Sequence, residues 1–278
     1  MIGNYKETIG ILKKYGLYAK KKYGQNFLVD PNILRKIVEV AGVDSTTHVV
    51  EIGPGLGSLT ELLAKEAKKV TAYEIDKDMI QVLNDRLSEY DNLEVIEADI
   101  LKTDIAFDEE ITVVANLPYY ITTPILFKLL ESNLKIKRIV VMMQKEVAQR
   151  LEGNVNTKDY NSLSVAIQYR TTPKIAFPVS REVFIPKPNV DSSVIVLDVL
   201  DEPRVKVDDE KFFFRVVKSA FGQRRKTLVN NLNAIFGIPK QVLKDILIEI
   251  GLNEKVRGEG LSIDEFAKLS VEIKKLDN

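Results

Sequence analysis

Five short apolar runs, HVVEIG, KVTAYEI, LEVIEADI, ITVVANL and RIVVMMQ, punctuate residues 48–144 and constrain the chain more than any other feature. Most are followed by an amphipathic stretch of helical period: SLTELLAKEA, KDMIQVLNDRLSEY, TPILFKLLES and KEVAQRL. A strand that is apolar at successive positions has no wet face, so it belongs in a sheet covered on both sides. Alternation of such strands with helices predicts a parallel, doubly wound α/β sheet. Upstream, DPNILRKIVEVAGV has Asp30 as a helix N-cap and Pro31 in the first turn. Its residues Ile33, Leu34, Ile37, Val38 and Ala41 form one apolar face.

Beyond the fifth run the pattern loosens. LEGNVNTKDYN is polar and reads as a mobile loop, and NSLSVAIQYR as a helix. KIAFPVSREVFIPKPNVDSSVIVLDV reads as strands broken by Pro178, Pro186 and Pro188, suited to an antiparallel closing hairpin. After DEPRVKVDDE only helical patterns remain, the last capped by Ser262 with Glu265 three residues on. These changes predict two domains, residues 1–200 and 201–278.

The chemistry is bounded by what is missing. The 278 residues include no cysteine and one histidine, His48, which lies at the start of an apolar run and reads as structural. Thiolate chemistry and a Cys/His zinc site are excluded; carboxylates alone could still hold a metal, but no metal is expected. Forty basic residues balance forty acidic ones, so any polyanion site must come from local segregation of charge. The N-terminus lacks the apolar core of a secretory signal, and no run approaches the roughly 20 apolar residues of a membrane span. A cytoplasmic protein is expected.

VVEIGPGLG sets glycines 53, 55 and 57 between a strand and a helix. A dinucleotide fingerprint would be G-x-G-x-x-G; here the third glycine comes one position early, and an acid, Glu51, precedes the turn. This E-x-G-x-G-x-G form resembles the first motif of class I methyltransferases, which bind S-adenosylmethionine. Glu74 ends the second strand, where a carboxylate can accept ribose hydroxyls. Asp99 ends the third, where it can contact the adenine amine. A tight turn with two solvated carboxylates is the plain alternative for each feature taken singly.

The fourth strand ends in Asn116-Leu117-Pro118-Tyr119, which resembles the [DNS]-P-P-[YFW] motif of methyltransferases acting on amino groups conjugated to planar rings. An exocyclic adenine amine is a weak nucleophile because its lone pair is delocalised into the ring. Acceptors on its hydrogens help more than a base would. The Asn116 side-chain oxygen and the Pro118 carbonyl can supply preorganised dipoles where positive charge develops. Tyr119 can stack on the base; Tyr120 could line the pocket or pack in the core.

KKKYGQNFLVD at 20–30, NLPYYITTP at 116–124, VFIPKPNVDSSV at 183–194 and KSAFGQRRKTLVNNL at 218–232 together resemble the KsgA family of 16S ribosomal RNA adenine dimethyltransferases. The resemblance covers about residues 20–275. It implies a Rossmann-like class I methyltransferase fold with a mostly parallel sheet, an antiparallel closing strand and a small all-α C-terminal domain. It further implies dimethylation of two adjacent adenosines near the RNA 3′ end, late in small-subunit assembly; a monomer is expected. Carried over by motif position, Asn26 and Leu28 cover S-adenosylmethionine from the N-terminal side, and Gly53, Gly55, Glu74, Asp99 and Asn116 complete its site. Phe184 becomes the second aromatic face of the target-base clamp, opposite Tyr119. The second tyrosine of NLPYY replaces an asparagine common in the family. For RNA, two cation clusters are candidates: Lys20, Lys21 and Lys22, and Arg215, Lys218, Arg224, Arg225 and Lys226, the second lying in a segment without acids. The rival readings are a 23S rRNA dimethylase of the antibiotic-resistance type, a non-catalytic assembly or transcription factor, and a nicotinamide oxidoreductase, the last disfavoured by the glycine spacing.

Overall fold

The computed structural model describes residues 3–20, 23–118 and 120–277. In chain order the elements are α1 (Tyr5–Lys14), β1 (Phe27–Leu28), α2 (Pro31–Ala41), β2 (His48–Ile52), α3 (Ser58–Glu66), β3 (Lys69–Glu74), α4 (Lys77–Leu87), β4 (Leu93–Glu97), β5 (Ile111–Asn116), α5 (Thr122–Leu130) and β6 (Ile136–Gln144). They continue as α6 (Lys145–Glu152), α7 (Ser162–Gln168), β7 (Thr171–Val179), β8 (Phe184–Ile185), β9 (Ser192–Val199), α8 (Glu210–Ala220), α9 (Leu228–Phe236), α10 (Lys240–Glu249) and α11 (Ile263–Lys274). The chain divides into two compact units, Met1–Ala148 with Lys174–Val199, and Gln149–Pro173 with Leu200–Asn278.

The first unit is built on a seven-stranded sheet of order β4-β3-β2-β5-β6-β9-β7. The five strands from β4 to β6 are parallel, and β9 closes against β6 antiparallel. All five residues of β2 are buried, as its unbroken apolar character requires. From β2 the chain steps outward through β3 to β4 and then returns to the other side of β2 with β5, which makes a topological switch between β2 and β5. In open α/β sheets the crevice outside the carboxyl ends of the strands at such a switch is where ligands bind. Register sharpens this: Ile52 pairs with Tyr73 on one side and Ala115 on the other. The next residues, Gly53, Glu74 and Asn116, therefore stand at one level along the carboxyl edge of the sheet.

Local sequence chemistry explains the helix starts. Asp30 caps α2 by accepting from the Asn32 and Ile33 N–H groups, with Pro31 in the first turn, and Ser262 and Glu265 form a reciprocal capping box on α11. Pro178 does not break its strand as the sequence suggested. It sits inside β7, the outermost strand, where a missing N–H can face away from the ladder. His48 is structural: buried at the start of β2, it bonds the Thr71 hydroxyl at 2.9 Å and the Glu109 carboxylate at 3.0 Å.

The second unit has its own core of Phe213, Val217, Leu228, Leu232, Leu247 and Phe266, among others. Tyr160, Val165 and Tyr169 join that core, so residues 149–173 belong with the helices that follow Val199. The segment expected to be a mobile loop is tied down. The Tyr160 hydroxyl is buried and donates to the Leu261 carbonyl at 2.9 Å, and the Asn156 N–H donates to the Glu259 carbonyl at 2.8 Å. Among the described residues no helix is long and apolar enough to cross a membrane.

Candidate active site

A cavity of about 320 Å³ opens at the switch point of the first unit. Its floor is the turn after β2. Gly53 and Gly55 adopt φ of 72° and 57°, the left-handed region that glycine enters without a Cβ penalty. That conformation turns the Gly55 N–H onto the Glu74 carboxylate at 3.0 Å. The other Glu74 oxygen accepts from the Ile75 and Asp76 N–H groups, each at 2.9 Å. Burial pushes the Glu74 pKa up, and the three backbone donors oppose the shift. Three of the carboxylate's roughly four acceptor positions are thus taken. It is a clamp on the glycine turn as well as a candidate acceptor for hydroxyl groups, a double role the sequence did not signal.

Asp99 stands two residues past β4 at 28% side-chain exposure, its carboxylate accepting from the Leu101 N–H and paired with Lys102 at 3.3 Å. Glu51 is the most deeply buried of the cavity's acidic side chains. It is 1% exposed, and its Oε2 has no hydrogen-bond partner among the described residues. Burial, with Glu74 nearby, pushes its pKa up to about 8, against the Thr60 hydroxyl beside it, so at neutral pH it is mostly a neutral acid.

On the other side of the switch, Asn116 ends β5 and lines the cavity with Leu117 and Pro118. The Pro118 carbonyl, expected to face the target amine, already accepts from the Ile121 N–H at 3.2 Å and the Thr122 hydroxyl at 3.1 Å. Both lone pairs are in use, so the acceptor role expected of the Pro118 carbonyl does not fit this geometry: Pro118 O pins the loop, and Asn116 is left as the candidate acceptor at the strand ends. Thr122 is the residue that sequence reading missed; a buried threonine in the first turn of α5 gave no sign of its partner. Tyr119 lies outside the described residues. Tyr120 lines the cavity and is 63% exposed, which settles the choice left open for it in favour of the rim.

The third wall comes from β1 and β8, an antiparallel pair that sets Leu28 opposite Phe184. Both are buried and both line the cavity, with Asn26 beside them. Phe184 is therefore core and cavity wall at once.

The lining carries three acidic side chains, Glu51, Glu74 and Asp99, the first held mostly neutral by burial, and no lysine, arginine or histidine among the described residues. Such a site has nothing to neutralise a pyrophosphate and suits a ligand that carries positive charge. S-adenosylmethionine, with a sulfonium and an ammonium group, fits that donor set, and the glycine turn leaves room where a Cβ would stand.

The predicted cation clusters fare unequally. Lys20 is not available to RNA: its ammonium lies 2.6 Å from both Asp76 and Asp78 and is 19% exposed. Lys21 and Lys22 lie outside the described residues. In the second unit Arg215 is exposed but pairs with Asp277 at 2.7 Å and stacks on the Phe236 ring at 4.6 Å, contacts that compete with the RNA role expected of it. Arg224 donates to the Lys158 carbonyl at 2.7 Å but stays exposed. Lys218, Arg225 and Lys226 are exposed and have no ion-pair partner among the described residues. Arg224, Arg225 and Lys226 sit in the turn between α8 and α9, ahead of the Thr227 cap, rather than on a helix face.

A doubly wound sheet with this strand order, a glycine turn, and carboxylates on successive strand ends defines a class I methyltransferase. Comparison with known proteins narrows the class. Residues 16–275 match the family model for ribosomal RNA adenine dimethylase, and the chain belongs to that family, whose members use S-adenosylmethionine as methyl donor. It is 53% identical over 274 residues to proteins of Bacillus pumilus and Bacillus cytotoxicus named ribosomal RNA small subunit methyltransferase A, covering 95% of this chain and 94% of each of those. Among solved structures it is similar to a dimethyladenosine transferase from Plasmodium falciparum, with TM-score 0.79 and 32% identity, covering 89% of this chain and 97% of that one. It is also similar to the 23S rRNA methyltransferase ErmE, with TM-score 0.70 and 27% identity, covering 89% of this chain and 99% of that one.

Proposed function

We propose that this chain dimethylates two adjacent adenosines near the 3′ end of small-subunit (16S) ribosomal RNA, during late assembly of that subunit in the cytoplasm, as a monomer. The observation that carries the reading is the convergence of Glu74, Asp99 and Asn116, from three strand ends, on one acid-lined cavity walled by Phe184. The extensive identity to proteins named for the small subunit favours that RNA over the large-subunit RNA in the name of the ErmE structure.

Bound S-adenosylmethionine supplies an electrophilic methyl group. The chain's own part is positioning and electrostatics. Glu74 holds the glycine turn and offers its remaining acceptor position to a ribose hydroxyl. Asp99 receives the adenine amine of the cofactor. The Asn116 oxygen accepts a hydrogen from the target amine, drawing its nitrogen toward tetrahedral geometry and leaving the lone pair free to attack. Pro118, fastened by Ile121 and Thr122, keeps Asn116 from drifting. Phe184 gives the flipped base an aromatic face. No histidine takes part, since the proton lost from the amine becomes acidic only once nitrogen carries the new bond, and it then passes to solvent.

The test is methyl transfer from labelled S-adenosylmethionine to undermethylated small subunits, with large subunits and naked RNA in parallel, read by mass spectrometry of the digested RNA. Dimethyladenosine from small subunits is the expected result. Label in large-subunit RNA instead would reassign the substrate. Cofactor binding with no label anywhere would favour the non-catalytic assembly factor.

A further inference from the structure

The pairing that removes Lys20 from the RNA surface assigns it another task. Its ammonium contacts Asp76 and Asp78, and its backbone N–H donates to the Gln25 side-chain oxygen at 2.8 Å. Gln25 in turn donates from Nε2 to the second Asp76 oxygen at 2.9 Å. Both residues thus converge on one carboxylate. Asp76 is 2% exposed, caps α4, and gives its own N–H to Glu74. It joins the anchor directly to the carboxylate wall of the cavity.

From this anchor Tyr23–Leu28 lines the cavity and meets it at three places. Gly24, at φ +60°, seats on the asparagine loop; a Cβ there would lie 2.9 Å from Pro118 Cβ and 3.2 Å from the Tyr120 ring. The Phe27 ring lies against the glycine turn, 3.5 Å from where a Cβ on Gly55 would stand. Leu28 pairs with Phe184 across β1 and β8.

We propose that Lys20 and Gln25 are positioning residues for methyl transfer. Acting through Asp76, they set Tyr23–Leu28 against the glycine turn, the Asn116–Pro118 loop and Phe184 together, so that cofactor and target base meet in one geometry. The inference rests on the reading that the cavity holds S-adenosylmethionine. A solvated Lys–Asp pair contributes little. This one differs because the Asp76 side chain is only 3% exposed. Without its cation a buried carboxylate two residues from Glu74 keeps only the neutral donors Gln25 Nε2 and the Asp78 N–H, and relief comes by moving the segment or the Glu74–Asp76 turn. Either movement is felt at the cavity.

The experiment compares Lys20→Met, Lys20→Arg and Gln25→Ala with the parent chain in three measurements. These are the S-adenosylmethionine dissociation constant by calorimetry without RNA, kcat and KM for both substrates, and the salt dependence of binding to undermethylated small subunits. Lys20→Met is expected to raise the cofactor dissociation constant and lower kcat/KM on the order of tenfold, a misplacement effect. Gln25→Ala should shift both the same way by less, Lys20→Arg should restore most of the loss, and the salt slope should match the parent. A purely structural ion pair would lower the melting temperature and leave kcat, KM and cofactor affinity alone, which overturns the proposal. Unchanged cofactor affinity with a reduced salt slope also overturns it and returns Lys20 to the RNA. Should Lys20→Met fail to fold, the neutral Gln25→Ala variant decides on the same criteria. A parent chain that binds no S-adenosylmethionine would instead refute the proposed function.

Discussion

The cavity of the first unit and the basic turn of the second use polar groups in opposite ways. Around the cavity nearly every polar group is fastened to backbone or to a neighbour: Glu74 by three N–H donors, Pro118 O by two, Asp76 by Lys20 and Gln25. In the turn between α8 and α9, Arg225 and Lys226 stand exposed without an ion-pair partner among the described residues. Fixed dipoles lower a barrier because they need not reorganise when charge develops. Loose cations serve a different end: they can follow an irregular phosphate backbone, each adding a modest, salt-screened increment. The contrast predicts steep, specific losses from the first region and shallow, additive ones from the second.

Asn116→Ala should break the contrast most visibly if it is wrong. Removing one preorganised group of this kind costs about 10²–10³ in kcat. Transfer should fall by that factor while the melting temperature changes little. Normal turnover by this variant would remove Asn116 from the chemistry and leave the acceptor unidentified. Glu74→Gln comes next. The amide can accept from Ile75 and Asp76 through its oxygen but offers the Gly55 N–H another donor, so the glycine turn should loosen. S-adenosylmethionine affinity should drop about ten- to a hundredfold, in line with losing one hydrogen bond to a charged group. An unchanged dissociation constant in calorimetry would show that Glu74 is a clamp and nothing more.

These two residues were legible in the sequence because their signals are local. An acid or an amide directly after an apolar strand can be seen without a structure, and register then brings Gly53, Glu74 and Asn116 to one level. Capping was legible for the same reason at Asp30 and Ser262. What sequence could not show is who already holds whom. Lys20 and Asp76 are separated by 56 positions, Arg215 and Asp277 by 62, and no periodicity links either pair. Cations that looked alike in a row of letters became a half-buried anchor, a ring-stacked pair and an exposed turn. Likewise α1, capped by Asn4, was hidden by the lysines and tyrosines that surround it. The polar run that ends in Tyr160 gave no hint that its tyrosine reaches the Leu261 carbonyl.

The basic turn sharpens the comparison from the other side. Arg225→Ala and Lys226→Ala together should weaken small-subunit binding without touching cofactor affinity. The log–log dependence on salt should become shallower by about 0.7 for each phosphate that is no longer neutralised, the increment for a single strand. Arg215→Ala should leave that slope in place and instead lower stability, since its guanidinium covers Phe236 and pairs with Asp277. If the slope follows Arg215 and ignores Arg225 and Lys226, exposure is not what selects the RNA surface.

Glu51 stands apart from the fastened polar atoms of the cavity, and its effect is read in stability rather than in turnover or binding. Glu51 is buried with Oε2 unpartnered among the described residues, its pKa raised from 4.5 to about 8 chiefly by burial. The folded protein therefore holds this proton over a range in which the unfolded chain has released it. A group with a raised folded pKa contributes stability that is fully present below its unfolded pKa and is lost as pH rises through its folded one. Stability of the parent chain should accordingly decline from about pH 4.5 to about pH 8 by this contribution. Glu51→Gln keeps the shape of the neutral acid and cannot ionise. Its urea midpoint relative to the parent should rise across that interval and level off above it, with no comparable change in Asn116-dependent turnover at saturating cofactor. A difference between the two chains that is flat with pH would mean that Glu51 is ionised in the folded state after all, held by a partner in the cavity. The contrast between the two regions would then extend to every polar group the cavity contains.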